Sequence, residues 1–238
     1  YESGKLDLKL SEFDPACAVK DWVDSFTDMA WKKHIRLSVE MDPSCYDKKI
    51  VADIEKLERI IYNLLSNAFK FTPEKGTIRV GLSYSVDFFN LNVSDTGIGM
   101  SQEHISHIFN DFYQISSVHH SGSGIGLALV KAFVDMHGGK IEVDSTEGEG
   151  SEFRIALPVK CSGGIVAGQR NEEDMSVMKE GAIYDAESQS SSSKDRYPFE
   201  FLHPDGDDTM GTVLIIDDNA DVRSYVKSIL SPKYEVLE

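Results

Sequence analysis

Cysteine is scarce in this 238-residue sequence. Cys17, Cys45 and Cys161 stand far apart with no C-x-x-C spacing, which excludes a disulfide framework and the usual zinc patterns and points to a reducing compartment. No apolar run approaches the roughly 18 to 20 residues that a membrane span needs. Neither a signal-type stretch nor an initiator Met opens the chain, so it reads as a cytoplasmic segment of a longer protein, itself without membrane contact. Basic charge is also short: 24 Lys and Arg face 40 Asp and Glu, for a formal charge of -16. With no concentrated basic patch, that balance excludes nucleic acid and anionic lipid as partners. Internal repeats, G-x-x-x-x-G-K-[ST] and the motifs of eukaryotic-type kinases are missing as well.

What remains is a composition of 41% apolar, 27% charged and 10% aromatic residues, that of a globular protein with one domain and an appendage. Leu6, Leu8 and Leu10 alternate as an edge strand. Asp14 and Pro15 then open a helix whose apolar face is Val19, Trp22, Val23, Phe26, Met29 and Ala30. Ile35, Leu37 and Val39 alternate as a strand, and Asp53 caps a long helix that Thr72-Pro73 stops. Ile78 to Tyr84 and Phe89 to Val93 read as an antiparallel hairpin, followed by a long polar loop from about Thr96 to Ser121. A helix from about Ile125 to His137 ends at Gly138-Gly139, and a second hairpin turns at Gly148-Glu149-Gly150. The first domain is expected at 1–159 and a linker, largely disordered and carrying Ser190 to Ser193, at 160–211. A second pattern starts at 212, where Val213 to Ile216 meet Asp217-Asp218 and a helical stripe follows.

Three features carry chemistry. On the long helix Ile54, Leu57, Ile61, Leu64, Ala68 and Phe71 make the packed face, and beside it Asn63, Asn67 and Lys70 recur at i, i+4 and i+7. Two amides and an ammonium in line can hold Mg²⁺ and phosphate, although such a stripe taken alone is more often a solvated helix face. At a strand tip stands Asp95-Thr-Gly97-Ile-Gly99, where a carboxylate can accept from an amino group and the glycines permit close backbone approach; alone it is equally an ordinary turn. Gly122-Ser-Gly124-Ile125-Gly126-Leu127 precedes a helix whose first-turn amides can face phosphate. Leu127 occupies the position where a dinucleotide fingerprint needs its third glycine.

In order, Asn63-Leu-Leu-Ser-Asn67-Ala-Phe-Lys70-Phe71-Thr72, Asp95-Thr-Gly97-Ile-Gly99-Met100, Phe109-Asn-Asp-Phe112-Tyr113 and Gly122-Ser-Gly124-Ile-Gly126-Leu127 resemble the N, G1, F and G2 boxes of bacterial sensor histidine kinases. The resemblance covers residues 1–159. It implies a two-layer α/β sandwich, with helices on one face of a mixed sheet, of the histidine kinase and gyrase-type ATPase fold. It further implies binding of Mg²⁺-ATP, with Asn67 on the metal, Asn63 beside the phosphates and Lys70 on a phosphate. Asp95 would meet adenine, Tyr113 would pack on the base, and Phe71 is counted among the nucleotide-binding residues. Gly97 and Gly99 would begin a mobile lid tethered by Phe109 and Phe112, and Gly122, Gly124 and Gly126 would wrap the phosphates, with Ile125 and Leu127 counted among the nucleotide-binding residues. The acidic field of the chain makes a Mg²⁺ requirement expected.

Related ATPases carry a Glu general base one helical turn before the metal-binding Asn, where this chain has Asn63. An amide cannot take a proton from water at neutral pH, so the reaction expected is phosphoryl transfer to a histidine on a separate dimerisation domain, over gyrase-type hydrolysis or a module used only for protein contacts. None of the seven histidines has the acidic neighbour and helical setting of such an acceptor, and His119 and His120 carry no assigned role. Tyr1 to Leu6 resembles the segment that follows the dimerising hairpin. The start at 212–238, with Asp217, Asp218, Asn219 and Arg223, resembles a response-regulator receiver in which the paired acids hold Mg²⁺. Together these imply a homodimeric hybrid kinase, membrane-anchored as a whole, in a phosphorelay.

Overall fold

Two aspartates set the helices in place. Asp14 accepts from the amides of Ala16 and Cys17 and opens α1 (Pro15–Asp24), and Asp53 accepts from Glu55 and Lys56 and opens α3 (Ile54–Phe71). Each satisfies amides that a helix start leaves without intrahelical partners. The computed structural model describes residues 8–115, 124–160, 165–166, 211–217 and 220–237. Leu6, His119, His120, Gly122, Cys161, Ser190 to Ser193, Asp218 and Asn219 lie outside the described residues. The chain divides into two units, Tyr1–Ala167 and Gly168–Glu238.

The first unit is a two-layer α/β sandwich. Its five-stranded sheet comprises β2 (Arg36–Met41), β4 (Thr77–Tyr84), β5 (Phe88–Asp95), β6 (Lys140–Thr146) and β7 (Gly150–Pro158), in the order β2-β4-β5-β7-β6. Only β2 and β4 run parallel, so the sheet is mixed. Alternation assigns the two faces. Ile78, Val80, Leu82, Phe89, Leu91, Val93, Phe153, Ile155 and Leu157 are buried, as are Leu57, Ile60, Ile61, Leu64 and Leu65 of α3 and Val130, Phe133 and Val134 of α5 (Gly126–Met136). Each such side chain contributes roughly 1.5 to 3 kcal/mol by leaving water. The strand positions between them carry Arg79, Asn90, Asn92, Glu142 and Arg154, and Arg154 bonds Glu152 and Asp144 across this polar face.

Two sequence expectations need correction. The apolar stripe from Val19 to Ala30 is not one helix: α1 ends at Asp24 and α2 (Thr27–Lys32) starts anew. Ser25 breaks the run, its hydroxyl donating to the Trp22 carbonyl 2.6 Å away and meeting the Tyr62 hydroxyl at 3.0 Å, in competition with the helical backbone. The first strand, β1 (Lys9–Phe13), is not an edge. It lies centrally in a separate three-stranded sheet, between β3 (Ile50–Ala52), antiparallel, and β8 (Ile165–Val166), parallel. Two residues of the expected linker are therefore paired with the first unit.

The polar loop after β5 holds a short helix, α4 (Gln102–Ile105), opened by the Ser101 hydroxyl. The described residues of the second unit form a βαβ element, with β9 (Thr212–Leu214) parallel to β10 (Glu235–Leu237) and α6 (Ala220–Leu230) between them. Asp217 is exposed and its backbone carbonyl accepts from Arg223, 2.7 Å away.

Candidate nucleotide site

The central helix α3 carries the candidate stripe. Its N-terminus is fixed by Asp53, which is buried and also accepts from the Lys9 amide at 2.8 Å and the Lys56 ammonium at 3.2 Å. Its C-terminus comes at Phe71 because Pro73 disfavours helical backbone at Thr72. Between these ends Asn63, Asn67, Lys70 and Phe71 are half-buried, unlike a fully solvated face. The run from 63 to 71 covers about 12 Å along the axis at the helical rise.

One end of the stripe meets the glycine-opened helix. A Cβ on Gly126 would lie 2.6 Å from Asn63 Oδ1, so the first residue of α5 and the Asn63 amide are in direct apposition. Asn63 is held there by its own Nδ2, which donates to the Arg59 carbonyl at 2.9 Å and leaves Oδ1 toward Gly126. Ile125, at the N-cap position, offers no side-chain acceptor of its own, and the positive end of the α5 dipole faces this region. Gly124 precedes it with φ 72 and backs onto the Phe112 main chain. Leu127 is half-buried.

Asp95 stands at the other end. Its Oδ1 accepts from the Gly97 amide at 2.8 Å, and a Cβ on Gly97 would lie 2.7 Å from the Phe71 carbonyl. The strand tip therefore sits against the last turn of α3 because residue 97 has no side chain. Burial pushes the Asp95 carboxyl above its usual range, opposed by backbone amides of Gly97 and Ser151. Burial likewise pulls the Lys70 ammonium down, and that group lies 5.2 Å from the Phe71 ring. A partly desolvated carboxylate and ammonium are common at sites that complete their solvation with a ligand.

The lid segment differs from expectation in its anchor. Ile108 is 5% exposed, whereas Phe112 is 47% exposed at a left-handed φ of 60°; Phe109 is half-buried. A buried aliphatic residue thus tethers the segment more than Phe112 does. Tyr113 packs against the rings of His104 and His107, and its hydroxyl meets His104 Nδ1 at 2.8 Å. Gly99, where the lid is expected to begin, has φ 63, and a Cβ there would strike the Thr146 carbonyl at 1.9 Å.

Sequence reasoning missed Ser145 and Ser151. Ser145 is 9% exposed on β6, and Ser151 lies opposite Asp95 in the β5–β7 register. No local period marks either, because their partners come from other elements.

A mixed sheet with its helices on one face, an amide-bearing helix, a strand-tip carboxylate and a glycine-opened helix define an ATPase-type nucleotide module. Residues 52–160 match the family described as histidine kinase-, DNA gyrase B- and HSP90-like ATPase. Sensor histidine kinase TmoS of Ectopseudomonas mendocina is 35% identical over 227 residues, 89% of this chain and 22% of its own length. Circadian input-output histidine kinase CikA of Thermosynechococcus vestitus is 37% identical over 161 residues, 66% of this chain and 22% of its own. The chain spans about a fifth of the length of these relatives. The solved catalytic domain of histidine kinase ThkA matches with a TM-score of 0.57 at 25% identity, covering 63% of this chain and 96% of its own. Residues 52–160 belong to this family and form the ATP-binding catalytic domain of a sensor histidine kinase.

Proposed function

We propose that the first unit binds Mg²⁺-ATP and passes its γ-phosphoryl group to a histidine on a dimerisation domain outside this sequence. The observation that carries the reading is the apposition of Asn63, midway along α3, with Gly126 and of the Asp95 strand tip with the last turn of α3. Phosphate binds amides at a helix start, and an adenine amino group binds a strand-tip carboxylate, so one extended nucleotide along α3 satisfies both. The donor set suits Mg²⁺, which favours oxygen ligands: the Asn67 amide oxygen would supply one and the phosphates others, and the metal would neutralise phosphate charge. Lys70 adds a positive charge in a partly buried setting, where charge–charge attraction is stronger than in open water. Asn63 holds a place where hydrolytic relatives need a general base, and its amide orients without abstracting a proton. Phosphoryl transfer needs such positioning more than covalent chemistry.

The same reading assigns 1–159 to the catalytic domain, 160–211 to a connecting segment and 212–238 to the start of a receiver domain. The parallel β9-α6-β10 element supports the last, since receivers are doubly wound parallel sheets. There Asp217 and Asp218 would hold Mg²⁺. A histidine kinase of similar fold, ThkA, has been solved in complex with its response regulator TrrA, in keeping with a receiver as partner. The whole protein is then a homodimeric hybrid kinase in a phosphorelay, anchored to the membrane through parts outside this sequence.

The test is calorimetric titration of the chain with Mg²⁺-ATP, followed by incubation with γ-labelled ATP and a histidine-bearing dimerisation domain in trans. Heat of binding and acid-labile label on the added domain are expected. Steady-state phosphate release without label transfer would point to hydrolysis instead, and absence of binding would refute the reading.

A further inference from the structure

We infer that Ser145 is a positioning residue that ties the base-recognising strand tip to the root of the lid, an inference that rests on the nucleotide reading above. Its hydroxyl has three polar neighbours from two places in the chain: the Met100 amide donates to it at 2.8 Å, and on β7 the Gly150 carbonyl lies at 2.8 Å and the Ser151 hydroxyl at 2.9 Å. A serine hydroxyl has one proton and two acceptor lone pairs. Met100 N–H occupies one lone pair and Gly150 C=O takes the proton, so the remaining lone pair accepts the Ser151 proton. All of the Ser145 capacity is used inside the protein, in a buried position where each lost bond is costly.

The three partners bracket the candidate base site. Met100 follows Gly99 at the start of the lid. Gly150 presses on Asp95, since a Cβ there would lie 1.9 Å from the Asp95 carbonyl. The Ser151 amide is among the groups that hold the Asp95 carboxylate down in pKa. The Gly148 amide adds a further tie, donating to the Ile98 carbonyl at 2.7 Å. The β6–β7 turn therefore clasps residues 95–100 from outside, and Ser145 is the side chain at its centre. With its own proton committed to Ser145, the Ser151 hydroxyl presents only acceptor lone pairs to a ligand beside Asp95. Two acceptors side by side select a base edge that donates, such as an exocyclic amino group, over one that accepts.

Two consequences follow for Ser145→Ala. Met100 loses its acceptor, so the lid root opens more often. The Ser151 proton is released to rotate toward the ligand, so discrimination between amino and carbonyl base edges weakens. The experiment compares wild type, Ser145→Ala, Ser145→Thr and Ile141→Val, the last a core change on the same strand that leaves the clasp intact. The readouts are Mg²⁺-ATP and Mg²⁺-GTP affinity, hydrogen exchange at the Met100 amide without nucleotide, and thermal midpoint.

Ser145→Ala is expected to weaken ATP binding about three- to tenfold, to narrow the ATP-over-GTP ratio by a similar factor, and to speed Met100 exchange several-fold. Ser145→Thr, which keeps the hydroxyl, is expected to restore the ratio even if its methyl group lowers the midpoint. If Ser145→Ala and Ile141→Val lose stability but leave the ATP-over-GTP ratio and Met100 exchange alike, Ser145 is merely structural and the inference fails. Wild type that binds Mg²⁺-ATP while Ser145→Ala matches it sinks this inference alone; wild type that does not bind sinks the nucleotide reading with it.

Discussion

His137 Nε2 accepts the backbone amide of Asp53 at 3.0 Å, joining the end of α5 to the start of α3 across the buried layer. The other ring nitrogen lies 2.6 Å from the Phe133 carbonyl, so it carries the proton and the ring is neutral. Burial pushes the His137 pKa below its ordinary value; the Phe133 bond and Asp53 oppose this, and Lys56 adds to it. The unfolded chain therefore binds a proton near pH 6.5 that the folded chain refuses. Stability is unaffected by this group above about pH 6.5, falls as pH drops below it, and levels off beneath the folded pKa. Thermal midpoints measured between about pH 7.5 and 5.5 are expected to decline, and to decline less in His137→Gln. Identical slopes in the two proteins would contradict the assignment.

Gly126→Ala separates binding from folding. The residue begins α5, where Ala is a better helix former than Gly, and among the described residues the close neighbour of the added methyl is the Asn63 amide oxygen. The amide must swing aside. Folding free energy should change by less than about 0.5 kcal/mol, while Mg²⁺-ATP affinity should fall about tenfold, or ~1.4 kcal/mol. Calorimetry beside urea unfolding reads both quantities.

Asp95→Asn should move stability and binding in opposite directions. A carboxyl whose folded pKa is raised favours its protonated form, so its contribution to stability is present below the unfolded pKa and lost as pH rises through the folded one. At neutral pH the burial of the charge is a burden on the fold, and the Asn variant is expected to melt at or above the wild-type temperature. Its ATP affinity should nevertheless drop by tenfold or more. In wild type, affinity should fall as acid protonates Asp95; in the variant that dependence should vanish. A variant that keeps wild-type affinity would remove Asp95 from the site.

Two glycines in one turn give a graded test of the packing. Gly150 has φ 115 and room for no Cβ, with the Asp95 carbonyl 1.9 Å from its position. Gly148 has φ 82 and nothing within 4 Å. Gly150→Ala should destabilise by about 2 to 4 kcal/mol, since strain and overpacking add. Gly148→Ala should cost about 1 to 2 kcal/mol, from the left-handed backbone alone. Equal losses in urea unfolding would show that the close approach to Asp95 is not what limits residue 150.

Much of this was legible in the residues. The long helix announced itself through Asp53 at one end, Pro73 at the other and an apolar face between, and the sheet followed from strict alternation in β4, β5 and β7. The stripe of Asn63, Asn67 and Lys70 was visible because helical spacing is a local property. What escaped was tertiary. Ser145 joins the Met100 amide, 45 residues away, to Gly150 and Ser151 across the hairpin, and no periodic pattern marks such a convergence. Ile50–Ala52 is too short to show a period, so the separate sheet around β1 was invisible. The break between α1 and α2 depended on which way the Ser25 hydroxyl turned. Ile108 outdoes Phe112 as an anchor for a similar reason: burial depends on where the backbone aims a side chain, not on its size.

The pairing of β1 with β8 closes the first unit at its base, bringing Leu10 beside Val166 after the whole domain has been traversed. A module whose entry and exit share one seam behaves as a cassette. It can be grafted into a surface loop of another protein, or have its ends rejoined and new ones cut elsewhere, with little disturbance of the nucleotide-facing side.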